Sequence, residues 1–116
     1  MDEALKVFNT MVEKGCLPSV VSYSILIHRY CKNRRIDEAM TLFREMTNNG
    51  IIPNVVTYTT LIGGFGRVGR PKKALELFHK MRGCGQHPNV QTYAILLDGL
   101  FKNLYFPEAM ALFLRP

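Results

Sequence analysis

Three prolines, Pro18, Pro53 and Pro88, stand 35 residues apart, and most of the chain keeps step with them. Gly15, Gly50 and Gly85 recur at that interval, as do Met11, Met46 and Met81; Tyr23, Tyr58 and Tyr93; and Leu26, Leu61 and Leu96. Phe8, Phe43, Phe78 and Phe113 continue the series. Residues 20–54 and 55–89 align without a gap and share 13 identities. A fixed period between about 20 and 50 residues marks an architecture of stacked units, none of which can bury its apolar face alone. The chain is therefore counted in repeats: a partial unit over 1–19, full units over 20–54 and 55–89, and a truncated unit over 90–116.

Each unit reads as two helices. In the first full unit, Val20, Tyr23, Leu26, Ile27 and Tyr30 follow steps of three and four, the helical period. Asn33-Arg34-Arg35 breaks the pattern, and Ala39, Leu42, Phe43 and Met46 resume it over about 37–48. Asp37 lies near the start of that second helix, where a carboxylate meets free amides and the positive end of the dipole. Gly50 suits the left-handed residue after a helix, and Pro53 prevents continuation. The same reasoning predicts helices over about 55–68, 71–82, 90–103 and 107–114, with Gly69 at a turn and Pro71 in a first helical turn. A leading helix over 2–14 is a second helix without its first. The expected fold is all-α, a right-handed α-solenoid of helix–turn–helix repeats. The apolar stripes are read as its core, with Ala4, Ala39, Ala74 and Ala109 small where helices approach. Gly63, Gly64 and Gly66 are expected to make the middle first helix the softest element, since each glycine costs about 1 kcal/mol relative to alanine.

No apolar run approaches the roughly 18 residues that span a bilayer, so no membrane partner is expected. Met1-Asp2-Glu3-Ala4 reads as helix rather than as a targeting peptide. Neither end carries a polar capping helix, so a piece of a longer array, or self-association through uncapped ends, is expected. Cys16, Cys31 and Cys84 are odd in number and form no C-x-x-C, which argues against a disulfide framework or zinc site. His28 and Cys31 could form half of a metal site, but no second ligand pair repeats. No cofactor and no metal is expected. A net charge of +6 favours a polyanionic partner.

The segments Val-Val-Thr-Tyr-Thr-Thr-Leu-Ile, Lys-Ala-Leu-Glu-Leu-Phe-His-Lys-Met and Gly-x-x-Pro-Asn-Val resemble the pentatricopeptide repeat, across essentially all 116 residues. The 35-residue period and the absence of Trp separate it from the tetratricopeptide repeat. Closeness to consensus resembles the plain 35-residue class, particularly restorer-of-fertility-like plant proteins, which implies a mitochondrial setting, or alternatively a chloroplast. The resemblance implies binding of single-stranded RNA with one base read per repeat, for RNA processing, stability or translation control.

By resemblance the readers are the residue after each repeat tyrosine and the residue after each repeat proline. These are Ser24 with Asn54, and Thr59 with Asn89. A small hydroxyl with Asn resembles the family's adenine-reading pair, so adenines are expected at the two complete repeats, the first repeat taking the 5′ base. An amide both donates and accepts, matching adenine's N1 and N6. Val21 and Val56 are implied to sandwich the base, while Gln91 replaces valine in the third copy. Ser19 lacks a partner and Ala94 lacks a polar atom, so both slots are expected to read poorly. Lys32, Arg67 and Lys102 recur late in each first helix and are expected to contact phosphates. Taken without the resemblance, Ser24, Asn54, Thr59 and Asn89 read first as ordinary turn and surface residues, the asparagines as turn or N-cap choices, while the cations are equally solvated helix ends. Two other readings compete. A peptide-binding helical scaffold would need an exposed apolar groove. An enzyme would need an acidic cluster, yet Asp2, Asp37 and Asp98 lie far apart in the repeat frame, so no catalysis is expected.

Overall fold

A computed structural model describes residues 2–114, with side chains from 3 to 112; Met1, Arg115 and Pro116, and the Phe113 side chain that continues the phenylalanine series, lie outside the described residues. Seven helices follow one another among the described residues: α1 (Asp2–Glu13), α2 (Val20–Lys32), α3 (Ile36–Asn48), α4 (Val55–Arg67), α5 (Pro71–Gly83), α6 (Val90–Lys102) and α7 (Phe106–Leu114). Every boundary falls within one residue of the sequence expectation. The molecule measures 50 × 27 × 20 Å, elongated as stacking of helix pairs requires. No helix among the described residues is long and apolar enough to cross a membrane.

The helices end where local chemistry dictates. Gly15, Gly50 and Gly85 all take φ near +80° (82°, 77° and 82°), and across each the next N–H reaches back to Met11, Met46 or Met81 at 2.9 Å. The turns inside the helix pairs use the same device at 34, 69 and 104. Gly69 adopts φ 80° as expected, but Arg34 and Leu104 are held at φ 60° and 62°, a conformation L-residues reach only at a cost. At α3 Asp37 stands in the first helical turn as expected, but it does not cap the helix. The helix starts at Ile36 with no side-chain cap, and the Asp37 carboxylate pairs with Arg70 of the next unit at 3.1 Å.

The core is the repeat register made physical. Leu26, Ile27, Leu42, Phe43 and Met46 are buried, as are Leu61, Phe78, Met81 and Leu96. Ala39, Ala74 and Ala109 are also buried, at close helix contacts. Each repeat phenylalanine meets the tyrosine of the following helix edge-on: Phe8 with Tyr23, Phe43 with Tyr58 and Phe78 with Tyr93, ring centres 5.1 to 5.4 Å apart. Such pairs add about 0.5–1.5 kcal/mol each beyond burial, and they fasten one unit to the next.

The first helices α2, α4 and α6 pack directly on one another, whereas α3 and α5 come no closer than side-chain reach, with Lys80 over the Phe43 ring at 5.2 Å. The first-helix row is thus the tighter, inner row. Its glycines explain the close approach. A Cβ at Gly64 would sit 2.8 Å from Cys31 Sγ, one at Gly63 3.1 Å from Ile95 Cγ2, and one at Gly66 3.1 Å from the Gly99 Cα. The expectation that these glycines mark a soft element is corrected by this packing: they are buried or half-buried contact points where any side chain would force α4 away from its neighbours.

Candidate nucleic-acid interface

Along the inner row lies a cleft of about 850 Å³, bounded by α2, α4 and α6. It brings together Val56, Thr59, Arg67, Asn89, Gln91, Ala94 and Lys102 from the sequence expectation. Ser19, Val21, Ser24, Lys32 and Asn54 fall outside its walls. His28 and Asp98 also line it, one position before the repeat arginine or glycine on α2 and α6; they occupy one register position with Gly63, 35 residues apart, and the sequence reading missed them as wall residues. Exposed valine at 21 and 56 is consistent with a flat apolar surface offered outward rather than buried (64% and 61% exposed).

Asn54 and Asn89 are N-caps. The Oδ1 of Asn54 accepts from the Thr57 N–H at 3.1 Å, and that of Asn89 from the Thr92 N–H at 2.9 Å. The threonine hydroxyls complete capping boxes by accepting the cap residues' own N–H groups at 3.3 and 3.2 Å. Because a backbone N–H can only donate, the atom facing it must be the amide oxygen, which fixes the orientation of both asparagines. The NH₂ groups are then the ends left for a ligand.

The hydroxyl partners are tied to the same boxes. Ser24 Oγ lies 2.9 Å from Thr57 Oγ1, and Thr59 Oγ1 lies 2.8 Å from Thr92 Oγ1. Each pair of implied readers is therefore joined through the threonine three residues after the asparagine. Thr59 is buried (8% exposed), with only a small part of its surface open. At the first cap the arrangement differs: Ser22 Oγ donates to the Ser19 backbone carbonyl at 3.0 Å.

The cations are held in different ways. Arg67 donates to the Cys31 carbonyl at the end of α2 at 3.2 Å, and Arg34 donates to the Arg67 carbonyl at 2.9 Å. Lys102 pairs with Asp98 at 3.0 Å, and Lys32 is exposed at the end of α2. Helix C-termini favour all three positions, since the carbonyl end of the dipole is negative. The Cys31 thiol is pushed up to about 12 by burial, with the Arg67 charge opposing more weakly, so it stays protonated. No cluster of three potential metal ligands occurs among the described residues, and His28 is exposed while Cys31 is buried.

Residues 1–32, 18–67 and 53–102 match the PPR repeat family, and residues 91–115 match the PPR repeat. The chain belongs to the PPR repeat family. Among solved structures it is similar to the pentatricopeptide repeat protein PPR10 from maize, with 35% identity and a TM-score of 0.82 over 95% of this chain. It is similar also to PPR10 in complex with an 18-nt psaJ RNA element, at 32% identity and a TM-score of 0.86 over 94% of this chain. In both cases the chain spans 16% of the PPR10 chain. The PPR domain of Arabidopsis thaliana protein-only RNase P 1, solved with tRNA, shares the fold at 19% identity and a TM-score of 0.76, covering 95% of this chain and 57% of that one. No curated protein matches.

Proposed function

We propose that this chain binds single-stranded RNA along its first-helix row, as a non-catalytic, sequence-selective reader. The observation that carries the reading is the cleft, which gathers an exposed apolar side chain at Val56, polar groups at Thr59 and Asn89, and cations at Arg67 and Lys102 within one wall system. PPR10, to which the chain is similar, has been solved with an RNA element. In this reading the units run over 20–54 and 55–89, flanked by partial units over 1–19 and 90–116. Ser24 with Asn54 and Thr59 with Asn89 take one adenine each. Val21 and Val56 flank the bases, and Lys32, Arg67 and Lys102 meet phosphates. Ser19, Gln91 and Ala94 mark slots that read little. The class is the plain 35-residue one, restorer-of-fertility-like, acting on organellar transcripts, in the mitochondrion before the chloroplast, to mask RNA or guide its processing.

Two bases at about 1–3 kcal/mol each give roughly 2–6 kcal/mol before association costs, and a 1 mM Kd already corresponds to about 4.1 kcal/mol. Binding by this length of chain is therefore weak, and the decisive quantities are its base preference and salt dependence. The test neutralises Lys32, Arg67 and Lys102 to glutamine in an array that embeds residues 20–102 among RNA-binding repeats. Affinity should fall about equally for every sequence, and the log–log salt slope should flatten by about 0.7 per lost contact. A changed base preference with an unchanged slope would remove these residues from the backbone-contact role. Binding that is indifferent to RNA but specific for a peptide would favour the helical-scaffold reading instead.

A further inference from the structure

Thr57 and Thr92 carry a consequence that rests on the base-reading proposal and sharpens it. Each has one hydroxyl proton to give. Thr57 Oγ1 lies 3.1 Å from Asn54 Oδ1, an oxygen whose identity is fixed by the backbone N–H it accepts, so the threonine must donate there. Thr92 Oγ1 donates to Asn89 Oδ1 in the same way at 3.0 Å. The proton of each threonine is then spent. At 2.9 and 2.8 Å from those oxygens, Ser24 and Thr59 must be the donors. The order of protons is set along both chains: Ser24 to Thr57 to Asn54, and Thr59 to Thr92 to Asn89.

We infer that Thr57 and Thr92 are positioning residues that fix the hydrogen-bonding polarity of each reader pair. Ser24 and Thr59, having given their protons inward, offer only lone pairs outward. Asn54 and Asn89, with Oδ1 held by the cap, offer only N–H outward. The resulting site presents an acceptor beside a donor. With the exocyclic group set toward the hydroxyl reader and the ring nitrogen toward the asparagine amide, that pair matches bases with an exocyclic amine beside a bare ring nitrogen, adenine and cytosine. In that same orientation it opposes bases with a keto oxygen beside a ring N–H, guanine and uracil, whose oxygen would face a lone pair and whose ring N–H would face the amide N–H. Selection between amino and keto bases is thus written by a residue that touches neither, and the size of the slot is left to choose between purine and pyrimidine. At Ser19 the relay is absent, because Ser22 gives its proton to a backbone carbonyl. That slot has no fixed polarity.

The experiment titrates the full chain by NMR with short homopolymers of adenylate, cytidylate, uridylate and inosinate, the last carrying guanine's keto edge. The wild type should prefer the amino pair over the keto pair. Thr57→Val with Thr92→Val keeps the side-chain shape and leaves the backbone N–H on each asparagine oxygen, but frees Ser24 and Thr59 to donate outward. The amino-to-keto ratio should fall roughly tenfold, chiefly through gained binding of uridylate and inosinate. Thr57→Ser with Thr92→Ser should restore it. A purely structural role would lower all four affinities together and leave the ratio untouched, and that outcome, with helicity and Tm recorded for every variant, would overturn the inference. Asn54→Asp with Asn89→Asp in the same titration separates the two claims. If the aspartate variant shifts the ratio and the valine variant does not, only the relay fails; if neither shifts it, base reading itself fails.

Discussion

The joint between α2 and α4 and the joint between α4 and α6 share one 35-residue register but are closed by different atoms. In the first, the side chains of Cys31 and Ile36 fill the space over Gly64, at 2.8 and 2.9 Å from where a Cβ would stand, and Arg67 and Arg34 bridge the helix ends. In the second, backbone meets backbone, with Gly66 facing the Gly99 Cα, and Asn103 donates to the Gly66 carbonyl at 2.9 Å. The hydroxyl chains that cross the two joints are nevertheless the same, Ser24 to Thr57 and Thr59 to Thr92. The contrast teaches that spacing between units can be set by interchangeable packing, while the hydroxyl chains that cross the joints keep one geometry.

The largest effects should come from filling those glycines. Gly66→Ala and Gly64→Ala should each destabilise by about 1–3 kcal/mol, the cost of overpacking outweighing the gain in helix propensity. They should differ in rescue. Trimming with Cys31→Ala and Ile36→Val should recover part of the Gly64→Ala loss. No side-chain trimming should recover the Gly66→Ala loss, because the opposing group is bare backbone. Denaturant titration of the single and combined variants checks this. Equal rescue at both joints would break the distinction.

Loss of a cap should act alike at the two joints. Asn54→Ala and Asn89→Ala should each cost about 1 kcal/mol in thermal or denaturant unfolding. Asn→Asp at either position should be close to neutral, since a carboxylate caps as well as an amide. A cost confined to one joint would mean the two boxes are not equivalent.

The smallest effects lie at the turns. Leu104→Gly should stabilise by about 0.5–1 kcal/mol by relieving its left-handed backbone. Arg34→Gly should gain less, because it also loses the 2.9 Å bond to the Arg67 carbonyl. Melting temperatures of the two variants, measured side by side, give the comparison.

Much of the fold was legible because glycine and proline punctuate it at a fixed interval. Gly50 and Pro53 bound α3, and Pro71 opens α5, within a residue of expectation. Arg34 and Leu104 were not legible as left-handed residues, since neither side chain favours that conformation and only their register with Gly69 points to it. Gly64 and Gly66 were misread as softness because propensity counts the helix alone and not the neighbour pressed against it. The reader positions were legible from resemblance, and Asn54 and Asn89 also from their place before a helix. Their tie to Ser24 and Thr59 was not, because it runs through Thr57 and Thr92, which spacing alone presents as ordinary capping residues. The differing commitments of Arg67 and Lys102 were likewise hidden, since they depend on which carbonyl or carboxylate the stacking brings near.

The central claim, that the amide ends of Asn54 and Asn89 read bases along the first-helix row, is tested most directly by exchanging donor for acceptor without disturbing the caps. Residues 20–102, embedded in an RNA-binding array, would be measured against RNAs carrying each of the four bases at the two corresponding positions, with and without Asn54→Asp and Asn89→Asp. Preference should move from adenine toward guanine, whose N1–H and N2–H a carboxylate can accept, with each mismatch costing about 1–3 kcal/mol. An unchanged preference in a variant of unchanged stability would contradict the claim and leave both asparagines as helix caps alone.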